Sequence, residues 1–340
     1  MRRAIGVFLV WTVSMGLMAA LLAAAALAYH YWQMPLVDEP TTVAVEAGES
    51  MRDIAATLHD TRPALPARVI YWTARFRGQA RQIQAGEYEI RADERLPALL
   101  DRMVAGDVIE YRFTVPEGVT ASEFLAQVAE APKVRRTLDP LTPEAVIEAL
   151  DLPVDHLEGW LFPTTYHYPA GTTDRALLKR AYRLMREELD AAWADRAADL
   201  PIDSAYEALI LASLIEKETA VPDERGRIAG VFVNRFERGM RLQTDPTVIY
   251  GMGDAYEGRL YRRHLREDTP YNTYTRDGLP PTPIALPSAA SLRAAIRPEA
   301  TDALYFVADG SGGHTFSRTL KEHNRAVSRW REHKREAGTN

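Results

Sequence analysis

The N-terminal segment is the part of the chain that most constrains its fold. Arg2 and Arg3 precede an uncharged run from Ala4 to Tyr29, rich in Leu, Ala, Val and Met. This run exceeds the roughly 20 apolar residues that span a bilayer and the roughly 7–15 apolar residues of a signal peptide. It therefore predicts a single N-terminal transmembrane helix.

The charges and aromatic residues around this run predict its orientation. Because Lys and Arg are enriched on the cytoplasmic side, Arg2 and Arg3 place the N-terminus in the cytoplasm and the remaining chain outside it. Tyr29, Tyr31 and Trp32 are typical of a membrane–water interface, here the one on the side away from the cytoplasm. The small residues at positions 24–28 leave a cleaved signal peptide as the alternative.

Composition excludes several classes of function. A length of 340 residues predicts about two domains. The net charge of −6 argues against nucleic acid as the main partner. The absence of cysteine excludes disulfides, a cysteine nucleophile and thiolate metal sites. Because the sequence also lacks HExxH and GxSxG, we expect neither a zinc-protease site nor a nucleophile elbow, and we predict no metal and no cofactor.

Local patterns beyond the apolar run predict an α+β fold. Residues 33–40 contain two prolines and no periodicity, which is typical of a linker. An alternating strand then leads to Ser50, a predicted helix cap, and two helices and a second strand follow. The predicted organisation is an anchor (1–32), a linker (33–40), a small α/β subdomain (41–108) and a larger mixed α+β domain (109–340).

A helix in the larger domain carries the most informative carboxylate. Ser204 is its predicted cap, and Pro222 disfavours helical backbone before it, so the helix should end near Thr219 or Ala220. Glu218 follows Leu211 by seven residues, which puts it on the apolar side of the helix.

Two effects should raise the pKa of Glu218. Burial against apolar neighbours disfavours the charged carboxylate, and the negative end of the helix dipole acts in the same direction. A glutamate that stays protonated near neutral pH is suited to general acid cleavage of a glycosidic bond. A surface position beside Lys217 is the alternative at this point.

Other polar residues of this domain suit a polysaccharide ligand. Amides hydrogen-bond sugar hydroxyls and acetamido groups, and aromatic rings stack on sugar faces. The candidates are Gln243, Asp245, Tyr250, Asn272 and Tyr274. The proline-rich stretch 278–287 is expected to form a rigid wall of a binding groove. His314 follows a predicted hairpin turn and is expected to be structural or to hydrogen-bond substrate.

Ordered motifs along the chain carry a family resemblance. They are E-G-W-L-F-P-T-T-Y (158–166), L-I-E-K-E-T, F-V-N-R, M-R-L-Q-T-D-P-T-V-I-Y-G, Y-N-T-Y, G-L-P-P and H-T-F-S with His323-Asn324. Together they resemble the endolytic murein transglycosylase family, also called the YceG-like family. The stretch VAVEAGESMRDIAATL separately resembles the start of a LysM module, so the α/β subdomain is predicted to be LysM-like.

The resemblance implies a lyase that cleaves nascent glycan strands between N-acetylmuramic acid and N-acetylglucosamine and leaves a 1,6-anhydro end. Glu218 matches the essential glutamate of the family. Glu216, Gln243, Asp245, Tyr250, Asn272 and Tyr274 are expected to bind substrate or to support Glu218. The implied location is the bacterial inner membrane, with the catalytic domain extracytoplasmic. Partners would be glycan strands, the bilayer through residues 4–29, and peptidoglycan synthases, with the enzyme terminating glycan elongation.

Two departures from the family pattern and two alternatives accompany this prediction. Thr164 stands where the family commonly has aspartate, and residues 280–288 lack the usual Gly and Asn-Pro-Gly.

One alternative is a hydrolytic muramidase that uses Asp245 or Asp223 as a second carboxylate. The other is a non-catalytic peptidoglycan-binding scaffold of the synthesis machinery.

Overall fold

The computed structural model describes residues 2–336, with side chains described from Trp11 except those of His333 and Glu336. Helix α1 (Arg2–Gln33) contains an apolar stretch, Trp11–Gln33, that is long enough to cross a membrane. At 1.5 Å per residue, these 23 residues extend about 34 Å, against about 30 Å for the hydrocarbon core. A helix of this length and composition near the N-terminus fits both a membrane anchor and a signal sequence.

The chain divides into two compact units. The first unit runs to Tyr111 and includes His167–Gly171, and the second contains Arg112–Tyr166 and the chain from Thr172 onward.

The first unit has the predicted strand–helix–helix–strand order. Its elements are β1 (Thr41–Val45), α2 (Met51–Thr61), α3 (Ala67–Phe76) and β2 (Gly86–Ile90), followed by α4 (Leu96–Ala105). Strands β1 and β2 pair antiparallel, with Val43 opposite Tyr88. The order of elements confirms the prediction, and the LysM resemblance stays a prediction.

Ser50 caps α2 as its sequence position predicts. Its hydroxyl accepts a hydrogen bond from the Asp53 backbone N–H, and the Asp53 carboxylate accepts one from the Ser50 backbone N–H. This reciprocal pair satisfies two donors that the helix itself leaves free. The cap directs the apolar side of α2 into a core with Tyr88, Leu99 and Met103.

The second unit is mostly helical. Its C-terminal hairpin pairs β5 (Tyr305–Ala308) with β6 (His314–Ser317). Strand β3 (Glu110–Thr114) pairs with β4 (Thr165–Pro169), and each of these two strands has residues in both units. The helices are α5 (Ala121–Glu130), α6 (Pro143–Leu150), α7 (Asp174–Ala194), α8 (Ala205–Glu218), α9 (Arg225–Glu237), α10 (Asp245–Met252), α11 (Ala289–Ile296) and α12 (Leu320–Glu336), with short 3₁₀ turns at 222–224, 253–255 and 264–266.

Helix α8 lies at the centre of this unit. Ser204 caps it by accepting a hydrogen bond from the Glu207 backbone N–H at 3.2 Å. Every residue from Ala208 to Ile215 is buried, so this stretch of the helix is buried on all sides and not only along one stripe. Helices α7, α9, α10 and α11 contact it. The helix ends at Glu218, one residue before the predicted end near Thr219 or Ala220.

The proline-rich stretch does not form the expected groove wall over most of its length. Residues 282–288 are buried, and the Ile284 backbone N–H donates to the Ser213 hydroxyl on α8 at 3.0 Å. Gly159 has φ +84°, and a Cβ there would lie 2.5 Å from Pro283 Cγ, so only glycine permits this close packing. For residues 282–288 the expectation is wrong, because they carry no charge and fill space against the core helix. Residues 278–281 line a separate cavity of about 460 Å³, together with Asp203, Ser204 and Glu207.

Local sequence reasoning also missed regular elements. Helix α10, which begins at Asp245, helix α11 and strand β4 were not predicted. These three elements are short, and tertiary contacts decide such segments more than local propensity does.

Candidate active site

Glu218 lies at the end of the buried helix and lines a cleft of about 430 Å³ in the second unit. The Thr244 hydroxyl donates a hydrogen bond to its carboxylate. The cleft is lined by Glu218, Arg235, Leu242, Gln243, Asp245, Tyr274, Tyr305, Phe306, Val307, Ala308, His314, Leu320 and His323. A titratable group therefore faces a space that could hold a sugar ring.

The surroundings of Glu218 raise its pKa to about 7. Burial of the carboxyl is the largest cause, and the negative charge of Asp245 adds to it. The hydrogen bond from Thr244 and the positive charges of His314 and Arg235 act in the opposite direction. Because burial outweighs these, a large fraction of Glu218 is protonated at neutral pH, as a general acid requires.

The loop that covers Glu218 is fixed by backbone contacts. The Gln243 backbone N–H donates to Thr273 O at 3.2 Å, and the Thr244 backbone N–H donates to the Thr273 hydroxyl at 3.1 Å. The Thr247 hydroxyl donates to Thr244 O at 2.8 Å. Gln243 has φ +53°, a left-handed conformation that is uncommon outside glycine and concentrates at functional sites.

Asp245 and Tyr274 form a second wall of the cleft. The Tyr274 hydroxyl donates to Asp245 Oδ1 at 2.5 Å, and burial raises the pKa of that hydroxyl, so it remains a donor. Asn272 lies behind this wall. Its side-chain amide donates to His264 O and Glu267 O, and its Oδ1 accepts from the Tyr274 backbone N–H. Asn272 therefore shapes the loop that presents Tyr274.

His314 and Glu224 form a pair on the β5–β6 side of the cleft. Glu224 Oε1 accepts from the His314 backbone N–H at 2.8 Å, and Glu224 Oε2 lies 2.7 Å from His314 Nδ1. Because a carboxylate only accepts, it favours the proton on Nδ1 and leaves Nε2 at the opposite edge of the ring. His314 was expected to be structural or to bind substrate, and its carboxylate partner was not predicted.

Arg235 was also missed, although it belongs to the F-V-N-R motif. Its guanidinium is buried and donates to Leu304 O at 2.7 Å and to Leu242 O at 2.6 Å. It lies 5.2 Å from the centroid of the Tyr305 ring. Arg235 therefore connects the start of the β5 strand to the loop that carries Gln243.

Glu216 points away from this cleft. Its Oε2 accepts hydrogen bonds from the backbone N–H and the hydroxyl of Ser288, and its Oε1 lies 3.3 Å from Arg225 Nη2. Burial alone would raise its pKa, but the hydrogen bonds from Ser288 and the positive charge of Arg225 lower the pKa overall. Glu216 is thus ionised at neutral pH and links α8 to the start of α11.

Tyr250 is engaged with a second buried carboxylate. Its hydroxyl donates to Glu158 Oε2 at 3.1 Å, and Glu158 Oε1 accepts from the Ala121 backbone N–H at 3.0 Å. Glu158 is 8% exposed, and burial raises its pKa to about 7. This pair joins the start of α5 to α10, the helix that carries Asp245.

The structure therefore brings four of the seven predicted site residues to one cleft. Glu218, Gln243, Asp245 and Tyr274 line it, whereas Glu216, Tyr250 and Asn272 make contacts in its supporting structure. Within residues 2–336, no cluster of His, Asp and Glu could hold a metal ion. The arrangement offers one protonated carboxyl, a tyrosine–aspartate pair and an oriented imidazole.

A family model for the YceG-like family matches residues 43–329. This chain belongs to the YceG-like family. The match includes parts of both compact units and every residue of the candidate cleft.

Relatives of this YceG-like chain carry a common name. A Bacillus subtilis (strain 168) protein named endolytic murein transglycosylase is 32% identical over 320 residues, which cover 88% of each chain. A Streptococcus pneumoniae (strain D39) protein of the same name is 27% identical over 323 residues, covering 84% of this chain and 58% of the relative. The crystal structure of a putative YceG-like protein from Listeria monocytogenes is 31% identical, with a TM-score of 0.53, and covers 85% of this chain and 99% of that chain.

Glu158 should make the stability of this YceG-like chain depend on pH. Its pKa is raised in the folded state, so its stabilising contribution is complete below pH about 4.5 and is lost as the pH rises to about 7. The difference corresponds to about 3 kcal/mol. Glu158→Gln should therefore flatten the decline of unfolding free energy between pH 5 and pH 7.5, measured by urea unfolding of the full chain in detergent. Glu237→Gln, the same change at an exposed site on α9, should leave the decline unaltered. An equally steep decline in the Glu158 variant would contradict the assignment.

Proposed function

We propose that this chain is a lytic transglycosylase that cleaves peptidoglycan glycan strands within the strand and leaves a 1,6-anhydro-N-acetylmuramic acid end. The observation that carries the proposal is that Glu218 lines a cleft and that burial raises the pKa of its carboxyl to about 7. The names of the relatives support the substrate class.

Glu218 acts twice in the proposed reaction. Its carboxyl proton passes to the glycosidic oxygen, and the bond from that oxygen to C1 of N-acetylmuramic acid breaks. The resulting carboxylate then takes the proton of the C6 hydroxyl on the same sugar. The C6 oxygen bonds to C1, which closes the anhydro ring and regenerates the acid. Because the nucleophile comes from the substrate, no second catalytic carboxylate is needed, in contrast to paired-carboxylate glycosidases.

The other cleft residues bind and orient the sugars. Gln243 supplies an amide for hydroxyl and acetamido groups, and the Tyr274 hydroxyl holds Asp245 in place. His314 Nε2 offers a further hydrogen-bonding group, whose direction Glu224 fixes. The Tyr305 ring provides an apolar surface for a sugar face.

A hydrolytic muramidase is the second candidate, and one observation favours it. Asp245 lines the same cleft as Glu218 and is a possible base for water. The two reactions differ by one water in the mass of their products, so the product identifies the reaction.

Membrane anchoring extends the proposal to the cell. The apolar span Trp11–Gln33 holds the enzyme in the inner membrane with its cleft on the extracytoplasmic side. At this position the enzyme meets glycan strands as peptidoglycan synthases release them, so cleavage terminates elongation. The proposed partners are these strands, the bilayer and the synthases.

Replacement of the acid gives the first test. Glu218→Gln keeps the shape of the side chain but removes its proton, and general acid–base catalysis contributes about 10²–10⁴-fold. We expect cleavage of purified glycan strands to fall by at least about 10²-fold while the thermal unfolding midpoint does not fall. Mass spectrometry should show anhydro ends with wild type and with the matched control Glu237→Gln. Hydrolysed ends would identify a muramidase, and wild-type cleavage by the Glu218 variant would refute the mechanism.

The pH dependence of kcat/KM gives a second test, because two variants should shift it in opposite directions. Glu218 must start protonated, so kcat/KM should fall as the pH rises through about 7. Thr244→Val removes a hydrogen bond that lowers the pKa of Glu218, so the descending limb should move to higher pH. Asp245→Asn removes a charge that raises this pKa, so the limb should move to lower pH. If the descending limb of the pH profile moved in the same direction in both variants, a group other than Glu218 would be responsible for it.

Glycan length in cells tests the terminator role. Bacteria whose only copy of this protein carries Glu218→Gln should make longer glycan strands, because elongation is no longer interrupted. The length distribution, measured by chromatography of strands released from purified peptidoglycan, should not change with Glu237→Gln. Strands of unaltered length in the Glu218 variant would contradict termination without affecting the assigned chemistry.

A further inference from the structure

Helix α3 exposes an aromatic face that the proposed reaction does not use. Trp72 is 48% exposed and Phe76 is 83% exposed, and their rings stack with centroids 5.3 Å apart. Outside α1, the exposed large hydrophobic side chains among the described residues are Trp72, Phe76, Tyr261 and Leu320. A stacked pair of exposed aromatic rings is typical of an interaction site and not of an ordinary protein surface.

Arginines share this face. Arg68, Trp72, Arg75 and Phe76 follow the spacing of one side of a helix, and all four are exposed. We call these four residues the α3 face. The opposite side of the helix packs Ile70 and Ala74 into the core of the first unit.

The charge around the α3 face is the reverse of the overall charge. Residues 61–86 contain five arginines and no Asp or Glu, whereas the whole chain has a net charge of −6. Two of these arginines pair with aspartates outside the segment, Arg62 with Asp38 and Arg77 with Asp101, and the remaining three leave a local excess of positive charge. Such an excess attracts anionic groups at short range.

A groove of about 670 Å³ joins α3 to α1. One wall includes Trp72 and Phe76, and the other includes Ala24, Leu27 and Ala28 of the apolar span. The Arg77 guanidinium lies 5.6 Å from the centroid of the Trp32 ring, near the end of that span.

The depth of the groove along α1 limits what can occupy it. Ala24 lies nine residues before Gln33, which is about 14 Å along the helix axis. If α1 crosses a bilayer, this wall lies at the depth of the outer hydrocarbon and the adjoining headgroups. A glycan strand would lose the hydration of its hydroxyls there, whereas a lipid chain would not. Aromatic rings above apolar residues, with arginines beside them, are typical of a protein surface at a membrane interface.

We propose that the α3 face binds the extracytoplasmic surface of the inner membrane, which α1 crosses. Trp72 and Phe76 insert beside α1, lipid chains occupy the groove, and Arg68 and Arg75 contact the phosphates of anionic phospholipids. The bilayer then holds the first unit at two places, the span and the α3 face, which fixes the orientation of that unit on the membrane. This inference depends on the anchoring part of the proposed function and not on the chemistry of Glu218.

The absence of cysteine allows a direct test with single labels on the full chain. Phe76→Cys, Leu17→Cys in the span and Tyr261→Cys, an exposed aromatic of the second unit, each carry an environment-sensitive fluorophore. The variants are reconstituted in vesicles of phosphatidylcholine and phosphatidylglycerol that contain spin-labelled lipid. We expect labels at 17 and 76 to be quenched by the lipid several-fold more strongly than the label at 261. Aqueous iodide should quench the label at 261 most strongly.

The quenching results distinguish failure of the α3 proposal from failure of the membrane anchor. A lipid-quenched label at 17 with a label at 76 as accessible to iodide as that at 261 would overturn the α3 inference and leave the anchor intact. A label at 17 that lipid does not quench would overturn the anchor, and the α3 inference with it. Neither result bears on glycan cleavage, which the Glu218 variant tests separately.

Two additions distinguish lipid from other ligands. Arg68→Glu with Arg75→Glu should reduce lipid quenching at position 76 in anionic vesicles, and the control pair Arg325→Glu with Arg329→Glu on α12 should not. For the same chain in detergent micelles, soluble glycan strands should leave the label at 76 unaffected. Protection by glycan instead would identify the α3 face as a sugar-binding surface and overturn the proposal.

Discussion

The cleft depends on the burial of α8 on every side. Residues 208–215 are buried on every side of the helix. Glu218 is the last residue of the same helix, so its carboxyl lies at the edge of the core, where the helix ends. Burial then raises its pKa, and the loop carrying Thr244 covers it from the opposite side. The neighbouring Glu216, only two positions away, meets Ser288 and Arg225 and stays ionised. The two glutamates therefore differ in pKa because their surroundings differ.

Much of this could be predicted where the signal is local. Ser50 and Ser204 precede apolar periodic segments, and both cap helices. Pro222 predicts the end of α8 to within two residues. In these cases the interacting groups are separated by a few residues, so local geometry alone brings them together. The pKa of Glu218 is raised as predicted, but the groups around it, such as Thr244 and His314, come from distant parts of the sequence and not from an apolar stripe of α8.

The remaining features depend on contacts between residues far apart in sequence. Glu224 meets His314 across 90 positions, and Glu158 meets Tyr250 across 92. Neither pair has a spacing that a helix or strand would bring together, so both were missed. The stretch 282–288 has the composition of an exposed loop, yet it is buried because Ser213 and Gly159 provide a matching surface on other elements. Motif matches such as F-V-N-R marked some of these residues without indicating what they contact.

The burial of α8 has a consequence for turnover. A side chain on a flexible loop must lose conformational freedom whenever it meets its ligand, which lowers the rate or the affinity. Glu218 extends from a helix whose preceding turns are immobilised by close packing on all sides. The entropic cost of orienting this carboxyl is therefore incurred once, when the polypeptide folds, and does not recur with each sugar polymer that arrives.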